Sequence, residues 1–145
     1  MSDPLRIIHG RFGRAVLVRL DHSMVLHAHR ECHIVFKIGG ADIQFGVGAK
    51  EYPVTAQSAL MINAWEPHYY HYRETGAKTV LLAFYLNPHW LKEVDRRFAG
   101  STHPKFFERP VEVLSPRLAR GRDDVLDALR HLEPPNVQDM QDLIA

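Results

Sequence analysis

Residues 27–73 read HAHRECHIVFKIGGADIQFGVGAKEYPVTAQSALMINAWEPHYYHYR, and this stretch decides the fold. Short apolar and β-branched runs alternate in it with turns rich in glycine, proline and polar residues, which is the pattern of β-strands. The runs at 32–38 and 41–47 flank Gly39-Gly40, and two glycines between two such runs predict a β-hairpin. With the flanking sequence, the predicted strands are 15–20, 23–29, 32–38, 41–47, 51–55, 59–63, 67–73 and 78–86. Many short strands in succession predict a sandwich or a barrel, and the last run is apolar enough to be buried on both faces.

The pattern changes to helical after residue 86. Asn87-Pro88 and Ser115-Pro116 each place a capping side chain before a proline at the first helical position. The first pair predicts a helix over 88–98. The second predicts a helix that ends before Pro134-Pro135, with Gly121 as a candidate break. An apolar stripe follows this second helix at Leu118, Val125, Leu126, Leu129 and Leu132.

Two shorter features complete the expected architecture. A brief strand is predicted at 111–114, and Asn136 begins a last helix that is still apolar-periodic where the chain stops, as an interrupted helix would be. The fold class is therefore mainly β with C-terminal α-helices. We expect a barrel over 1–86, followed by a helical segment over 87–145 that packs on the barrel or mediates dimerisation.

The composition excludes several classes of protein. The 145 residues suit one globular domain, and a net charge of +1 without a basic run gives no electrostatic footprint for nucleic acid. The single cysteine, Cys32, predicts a reducing compartment and hence a cytoplasmic protein. No segment is apolar over the length of a signal peptide or a membrane span. There is also no nucleophile-elbow motif and no phosphate-binding glycine loop.

Four histidines form the most informative pattern in the sequence. His27 and His29 alternate on an extended segment, so their imidazoles project to the same side; His33 and His68 follow on later strands. Imidazole binds zinc, nickel, copper and iron, and an open metal site needs three protein ligands. We therefore predict a metal site of His27, His29, His33 and His68. The alternative is that they are hydrogen-bonded groups of a pocket or its rim.

Other side chains are candidates for binding a small ligand. Tyr70 and Tyr72 share a face with His68, and tyrosines suit a small-molecule pocket, although they equally fill a core. An inward Lys37 would anchor an anionic effector; alternatively, its ammonium group extends to water. Trp65 precedes His68 in a turn, where it would gate the pocket or pack on a neighbouring strand.

The second helix offers a candidate dimer face. Leu126, Leu129 and Leu132 recur at helical spacing, so one side of the helix is apolar. This stripe would either bind a second copy of the chain or cover the barrel, since an apolar face must be buried on something.

The histidine spacing resembles the cupin signature. His27-x-His29, three residues, His33, six residues and Gly40 reproduce the first cupin motif, with His33 at the position of the usual glutamate. Asp21 replaces the glycine that normally precedes this motif. The second cupin motif is Pro-x-Gly-x-x-His, and residues 63–68 keep only its histidine, His68, at the same distance from the start of the motif. These departures weaken any transfer of cupin enzyme chemistry and leave the barrel intact.

The run from residue 27 to residue 73 also resembles the sensor domains of AraC-type transcription regulators. The shared features are a histidine pair, an aromatic residue or histidine before an apolar strand, a glycine turn, Tyr52-Pro53, and Glu66-Pro67-His68 before an aromatic strand. The resemblance covers roughly residues 15–86, with helices in the expected order behind them. It implies a cupin jelly-roll (double-stranded β-helix) barrel followed by two or three helices. It also implies a homodimer, and two helix-turn-helix units beyond this chain that contact DNA.

Three functions follow from these patterns. The first is a sensor without catalytic activity, in which a small-molecule effector or a divalent metal (Zn, Ni or Fe) binds in the barrel and shifts the helices. The second is a metal-dependent cupin enzyme, a dioxygenase or an isomerase, that uses the histidine cluster. The third is a dimerisation module without a ligand. The missing cupin glutamate and the interrupted last helix favour the sensor.

Overall fold

The computed structural model describes residues 3–21, 23–71, 78–96 and 106–132, which form ten β-strands and two α-helices. In chain order these are β1 (Asp3–Gly10), β2 (Gly13–Arg19), β3 (Met24–His27), β4 (Cys32–Gly39), β5 (Ile43–Val47), β6 (Lys50–Val54), β7 (Ser58–Ile62), β8 (His68–Tyr70), β9 (Val80–Leu86), α1 (Pro88–Val94), β10 (Val111–Val113) and α2 (Pro116–Arg130). The expected fold class, mainly β with helices after the barrel strands, is confirmed.

The strands form two antiparallel sheets. The order is β1-β2-β9-β4-β7-β10 in the six-stranded sheet and β3-β8-β5-β6 in the four-stranded sheet. Both sheets contribute to one buried cluster, in which Val35 and Leu81 from the larger sheet pack with Phe45, Val54 and Tyr70 from the smaller one. The core therefore lies between two facing sheets, as expected for a cupin-type barrel.

Strand β9 is buried on both faces at its centre, as its apolar sequence predicts. Leu81 and Ala83 belong to the cluster between the sheets, while Leu82 belongs to a second cluster on the outer face of the larger sheet. Because successive side chains of a strand point to opposite faces, β9 joins the barrel interior to the layer that covers it.

The hairpin predicted at Gly39-Gly40 is wrong. Strand β4 pairs with β7 and β9, whereas β5 pairs with β6 and β8, so the glycines form a corner between the two sheets. Gly40 has a φ of 79°, and a Cβ at this position would lie 2.0 Å from the carbonyl oxygen of Lys78. The local pattern identifies a turn, but it does not specify which strands pair on either side of it.

Gly40→Ala is expected to destabilise the protein by about 1–3 kcal/mol, because alanine disfavours the left-handed backbone and its methyl group would overlap a carbonyl. Gly39→Ala is the matched control, since a Cβ there meets nothing within 4 Å. Urea unfolding of the two variants measures the difference. Equal unfolding midpoints would show that the corner tolerates a side chain.

Two strands extend the larger sheet at its edges. Strand β1 pairs with β2 and was not predicted, because a proline and two charged residues interrupt the alternation in its sequence. Strand β10, within the predicted 111–114, pairs with β7. The segment after residue 86 therefore contributes a strand to the barrel in addition to helices.

Both described helices begin at the predicted caps. The Asn87 side chain accepts a hydrogen bond from the His89 amide at 2.9 Å, and the Ser115 hydroxyl accepts one from the Leu118 amide at 3.1 Å. Helix α1 ends at Val94, earlier than expected, and α2 continues through Gly121. The predicted third helix lies outside the described residues. Neither described helix combines the length and apolar character needed to cross a membrane.

Helix α2 covers the outer face of the larger sheet. Leu126 and Leu129 are buried against a cluster that includes Leu17, Phe36 and Leu82, while Leu132 is partly exposed. Two of the three leucines proposed for a dimer face are thus used within the chain, which is the alternative that the sequence left open. A homodimer stays a prediction.

Candidate metal centre and ligand cavity

The structure brings the four predicted histidines together. His27 ends β3 and His68 begins β8, and the register of these antiparallel strands pairs them directly, with ring centroids 4.2 Å apart. His29 follows β3 in a loop, 5.0 Å from the His68 ring, and His33 lies in β4, 5.1 Å from it. One edge of the barrel interior therefore collects side chains that are up to about forty residues apart in sequence.

Three of these side chains form a group that could hold a metal ion. One ring nitrogen each from His27, His29 and His68 can be chosen so that all three lie within 4.8 Å of one another. Three imidazoles with the remaining position open make up a common ligand set for a divalent transition metal.

Backbone hydrogen bonds orient two of the rings. His27 Nδ1 donates to the Val25 carbonyl at 2.8 Å, and His68 Nδ1 donates to the Glu66 carbonyl at 2.8 Å. Because a carbonyl only accepts, each neutral ring carries its proton on Nδ1 and presents a lone pair at Nε2. His68 Nε2 is buried and has no hydrogen-bond partner in the described part of the chain. A metal ion fits this orphaned acceptor.

His33 lies beside the group of three, next to His29. Its Nε2 is 2.6 Å from His29 Nε2, and its ring also packs against Tyr85, with centroids 4.1 Å apart. This contact makes His33 a hydrogen-bonding partner of His29. Of the four histidines predicted as metal ligands, three form the group that could hold an ion. The fourth, His33, is buried beside them.

Burial favours the uncharged form of His29, His33 and His68, because it lowers the pKa of each. Loss of solvent lowers the pKa of His68 from 6.5 to about 4, although the bond to the Glu66 carbonyl partly opposes this. Burial and the neighbouring histidines hold the pKa of His33 well below its usual range. The pKa of His29 is also lowered by burial, against the effect of Glu31, whose Oε2 lies 3.7 Å from His29 Nδ1. The neutral imidazole is the form that binds a metal.

A cavity of about 190 Å³ lies inside the barrel beside the histidines. His27, His33 and His68 form part of its wall together with Tyr70 and Tyr85, and the rest of the wall is mainly aliphatic and aromatic. Tyr70 is buried and packs on Phe45, so it faces the interior as expected. Tyr72 lies outside the described residues.

Two other candidates lie away from the cavity wall. Lys37 forms an ion pair with Asp42 at 2.5 Å, where a register shift after Lys37 turns the end of β4 toward the corner. Lys37 stays in register with His33 and Val35 on β4, but its ammonium group pairs with Asp42 and it is not part of the cavity wall, so a role as an anchor for an anionic effector stays a prediction. Trp65 has an exposed side chain and a φ of 60°.

The backbone of Trp65 contributes more to the site than its ring. Its amide donates to the His29 carbonyl at 2.7 Å, which ties the His29 loop to the turn before His68. A positive φ is costly for a large side chain, so the surrounding bonds must hold the turn in place. This turn is what sets His29 beside His68.

Asn63 supports the same turn and was not identified from the sequence. Its side chain accepts from the Phe107 amide at 2.6 Å and donates to the Phe107 carbonyl at 3.1 Å. Its own amide donates to Glu66 Oε1 at 3.2 Å. Asn63 is itself buried. Its hydrogen bonds join the turn that precedes His68 to the segment that leads into β10 and α2. An asparagine at the end of a strand carries no local signal for such a distant partner.

Asn63→Ala is expected to lower the free energy of unfolding by about 2 kcal/mol, because it leaves the partly buried backbone N–H and C=O of Phe107 without their Asn63 partner. Chemical denaturation measures the change. Gln44→Ala, at an exposed position of β5, is the control and is expected to stay within about 0.5 kcal/mol of the parent chain. An equal effect of both substitutions would contradict the role assigned to Asn63.

Comparisons with solved structures give low identities. A cupin 2 conserved barrel domain protein from Rhodopseudomonas palustris aligns at 15% identity and a TM-score of 0.39, over 68% of this chain and 87% of that one. An oxalate decarboxylase from Bacillus subtilis, described with Mn(II) centres, aligns at 17% identity and 0.40 over 91% of this chain. The oxalate decarboxylase from Lactobacillus farciminis aligns at 17% identity and a TM-score of 0.39, over 85% of this chain. This chain spans 38% and 41% of the two decarboxylase chains.

A comparison with protein families is more informative. No curated protein matches the chain. Residues 19–140 match the family model described as AraC-like ligand binding domain, a range that includes all four histidines, the cavity-lining strands other than β2, and α2. This chain therefore belongs to the AraC-like ligand binding domain family.

Proposed function

We propose that this chain is the effector-sensing domain of an AraC-type transcription regulator, with a small ligand or a metal ion bound in the barrel. The observation that carries the proposal is the cavity of about 190 Å³ whose mainly apolar wall includes His27, His33 and His68. A mainly apolar cleft or cavity with a few converging polar groups is the usual form of a small-molecule site. Membership of a ligand-binding family supports the same function.

The metal in this proposal is a divalent transition ion, zinc, nickel or iron, held by His27, His29 and His68. When bound, such an ion supplies a Lewis-acidic position to which an oxygen or nitrogen of the ligand can coordinate. The chain's own contribution is orientation, because the carbonyls of Val25 and Glu66 hold two of the rings with their Nε2 lone pairs free.

The packing of the larger sheet suggests how ligand binding in the cavity would be transmitted to α2. Val35 and Leu81 line the cavity, while the next residues on the same strands, Phe36 and Leu82, pack in the cluster that includes Leu126 and Leu129 of α2. A ligand that shifts these strands would therefore shift the helix on their outer face. Such a response requires that the ligand bind two conformations with different affinities.

The regulator context is part of the proposal. DNA would be contacted through helix-turn-helix units outside this chain, in a cytoplasmic homodimer. The competing function is a metal-dependent cupin enzyme, a dioxygenase or an isomerase, for which the three-histidine group is the favourable observation. The histidine in place of the cupin glutamate weighs against it.

Metal analysis of the purified chain, followed by a thermal-shift screen of metabolites, separates these functions. We expect a compound that raises the melting temperature and is recovered unchanged. Stoichiometric iron together with turnover of the stabilising compound would overturn the sensor in favour of the enzyme. A chain that no metabolite stabilises would instead be a dimerisation module without a ligand.

A further inference from the structure

We infer that the effector is a small, uncharged molecule with one hydroxyl group on an otherwise apolar frame. This inference rests on the proposed function and adds the chemical class of the ligand. It follows from three properties of the cavity, namely the charge of its wall, its unused hydrogen-bond acceptors and its volume.

The wall offers no partner to a charged ligand. Among the described residues that line the cavity there is no lysine, arginine, aspartate or glutamate. Lys37 is held by Asp42 away from the cavity, and Arg14 stacks on the Tyr85 ring at 4.3 Å without joining the wall. In the metal-free chain an ionised ligand would be buried among apolar side chains without a counter-charge from the described wall, which is strongly unfavourable.

The wall does offer hydrogen-bond acceptors. His27 and His68 use Nδ1–H on backbone carbonyls, so each presents only a lone pair at Nε2. The buried Nε2 of His68 lacks a donor within the described chain. A ligand hydroxyl supplies that donor, whereas a ketone or an ether, which only accepts, does not.

The volume limits the frame that carries the hydroxyl. An apolar protein cavity of about 150 Å³ holds a benzene molecule, so about 190 Å³ suits a ligand of roughly six to ten non-hydrogen atoms. Phe45, Ile62, Leu81 and Ala83 line the space with apolar surface. A single ring or a short branched chain with one hydroxyl matches this lining.

The same class fits the protein with or without a metal ion. In the metal-free chain the ligand's hydroxyl group donates a hydrogen bond to an imidazole Nε2. With an ion on His27, His29 and His68, the hydroxyl oxygen is instead a ligand for the ion's open position. A hydroxyl is therefore the shared requirement, and a metal-free measurement isolates the hydrogen bond.

Calorimetric titration of the chelator-treated chain with four probes of similar size tests the inference. The probes are phenol, toluene, benzoate and benzylammonium. We expect phenol to bind about ten-fold more tightly than toluene, which is the gain from one hydrogen bond to a buried acceptor, and both ions to bind more weakly than toluene. Tighter binding of either ion, equal binding of phenol and toluene, or no binding of phenol would each overturn it.

Two variants test whether the preference for phenol over toluene arises in this cavity. His68→Phe keeps a ring but removes the acceptor, so we expect the advantage of phenol over toluene to fall to about two-fold or less. Ala83→Leu fills the cavity without touching the histidines and is expected to weaken both probes. A phenol preference that survives His68→Phe in the folded variant would contradict the assignment, and so would unchanged binding in Ala83→Leu.

The outcomes also separate this inference from the proposed function. Preferential binding of benzoate overturns the neutral effector and leaves a sensing cavity in place. Conversion of a bound hydroxyl compound by the metal-loaded chain overturns the sensor and leaves the ligand class supported.

Discussion

Replacing His68 with alanine is expected to remove most of the stabilisation that zinc gives to the protein. The parent chain, with zinc at 100 times its dissociation constant, gains about 2.7 kcal/mol. Loss of one of three ligands weakens binding by about 100-fold or more, so the same zinc concentration would stabilise the variant by only about 0.4 kcal/mol. Thermal or urea unfolding with zinc and with a chelator measures both gains.

Two further variants make this test specific. His89→Ala removes an exposed imidazole on α1 and is expected to leave the zinc effect unchanged. His33→Ala removes the hydrogen-bonding partner of His29. It is expected to weaken zinc binding less than His68→Ala does, because His33 lies outside the group of three. Equal zinc stabilisation of the parent and His68→Ala would show that the orphaned Nε2 is not a metal ligand.

The metal-free protein is expected to lose about 3 kcal/mol of stability between pH 6.5 and pH 4 through His68 alone. An unfolded histidine has a pKa near 6.5, whereas burial lowers the folded pKa of His68 to about 4. Between these values the unfolded chain binds a proton that the folded chain does not, so the free energy of unfolding falls as the pH falls. Above pH 6.5 this contribution is fully present. The lowered pKa values of His33 and His29 act in the same direction.

Urea unfolding across this pH range, with chelator present, measures the loss, and His68→Gln supplies the comparison. Glutamine stays polar but does not titrate, so the variant is expected to show a shallower pH dependence than the parent by about the same 3 kcal/mol. Parallel stability curves for the two proteins would mean that His68 is as easily protonated in the fold as in the unfolded chain.

Several features of the fold were predictable because they depend on neighbouring residues. Strand periods and the caps at Asn87 and Ser115 each follow from spacing over a few positions. The convergence of His68 with His27 and His29 was predictable only because the spacing over the whole stretch resembles a known family. Strand β1 was missed because a proline and two charges obscure its alternation.

The remaining features depend on partners that are distant in sequence. The corner at Gly40 is defined by Lys78, the partner of the Lys37 ammonium group is Asp42, and the role of Asn63 depends on Phe107. In each case the local residues are compatible with more than one environment, and the pairing of distant strands selects among them.

The sequence by itself therefore determined which segments extend and where the helices begin, since local sterics and periodicity decide these. Only the tertiary structure decided that three histidines group with His33 beside them, and that the described residues of the cavity wall carry no charged side chain. The physical reason is that a side chain's solvation and hydrogen-bond partners are set by what packs against it from elsewhere in the chain.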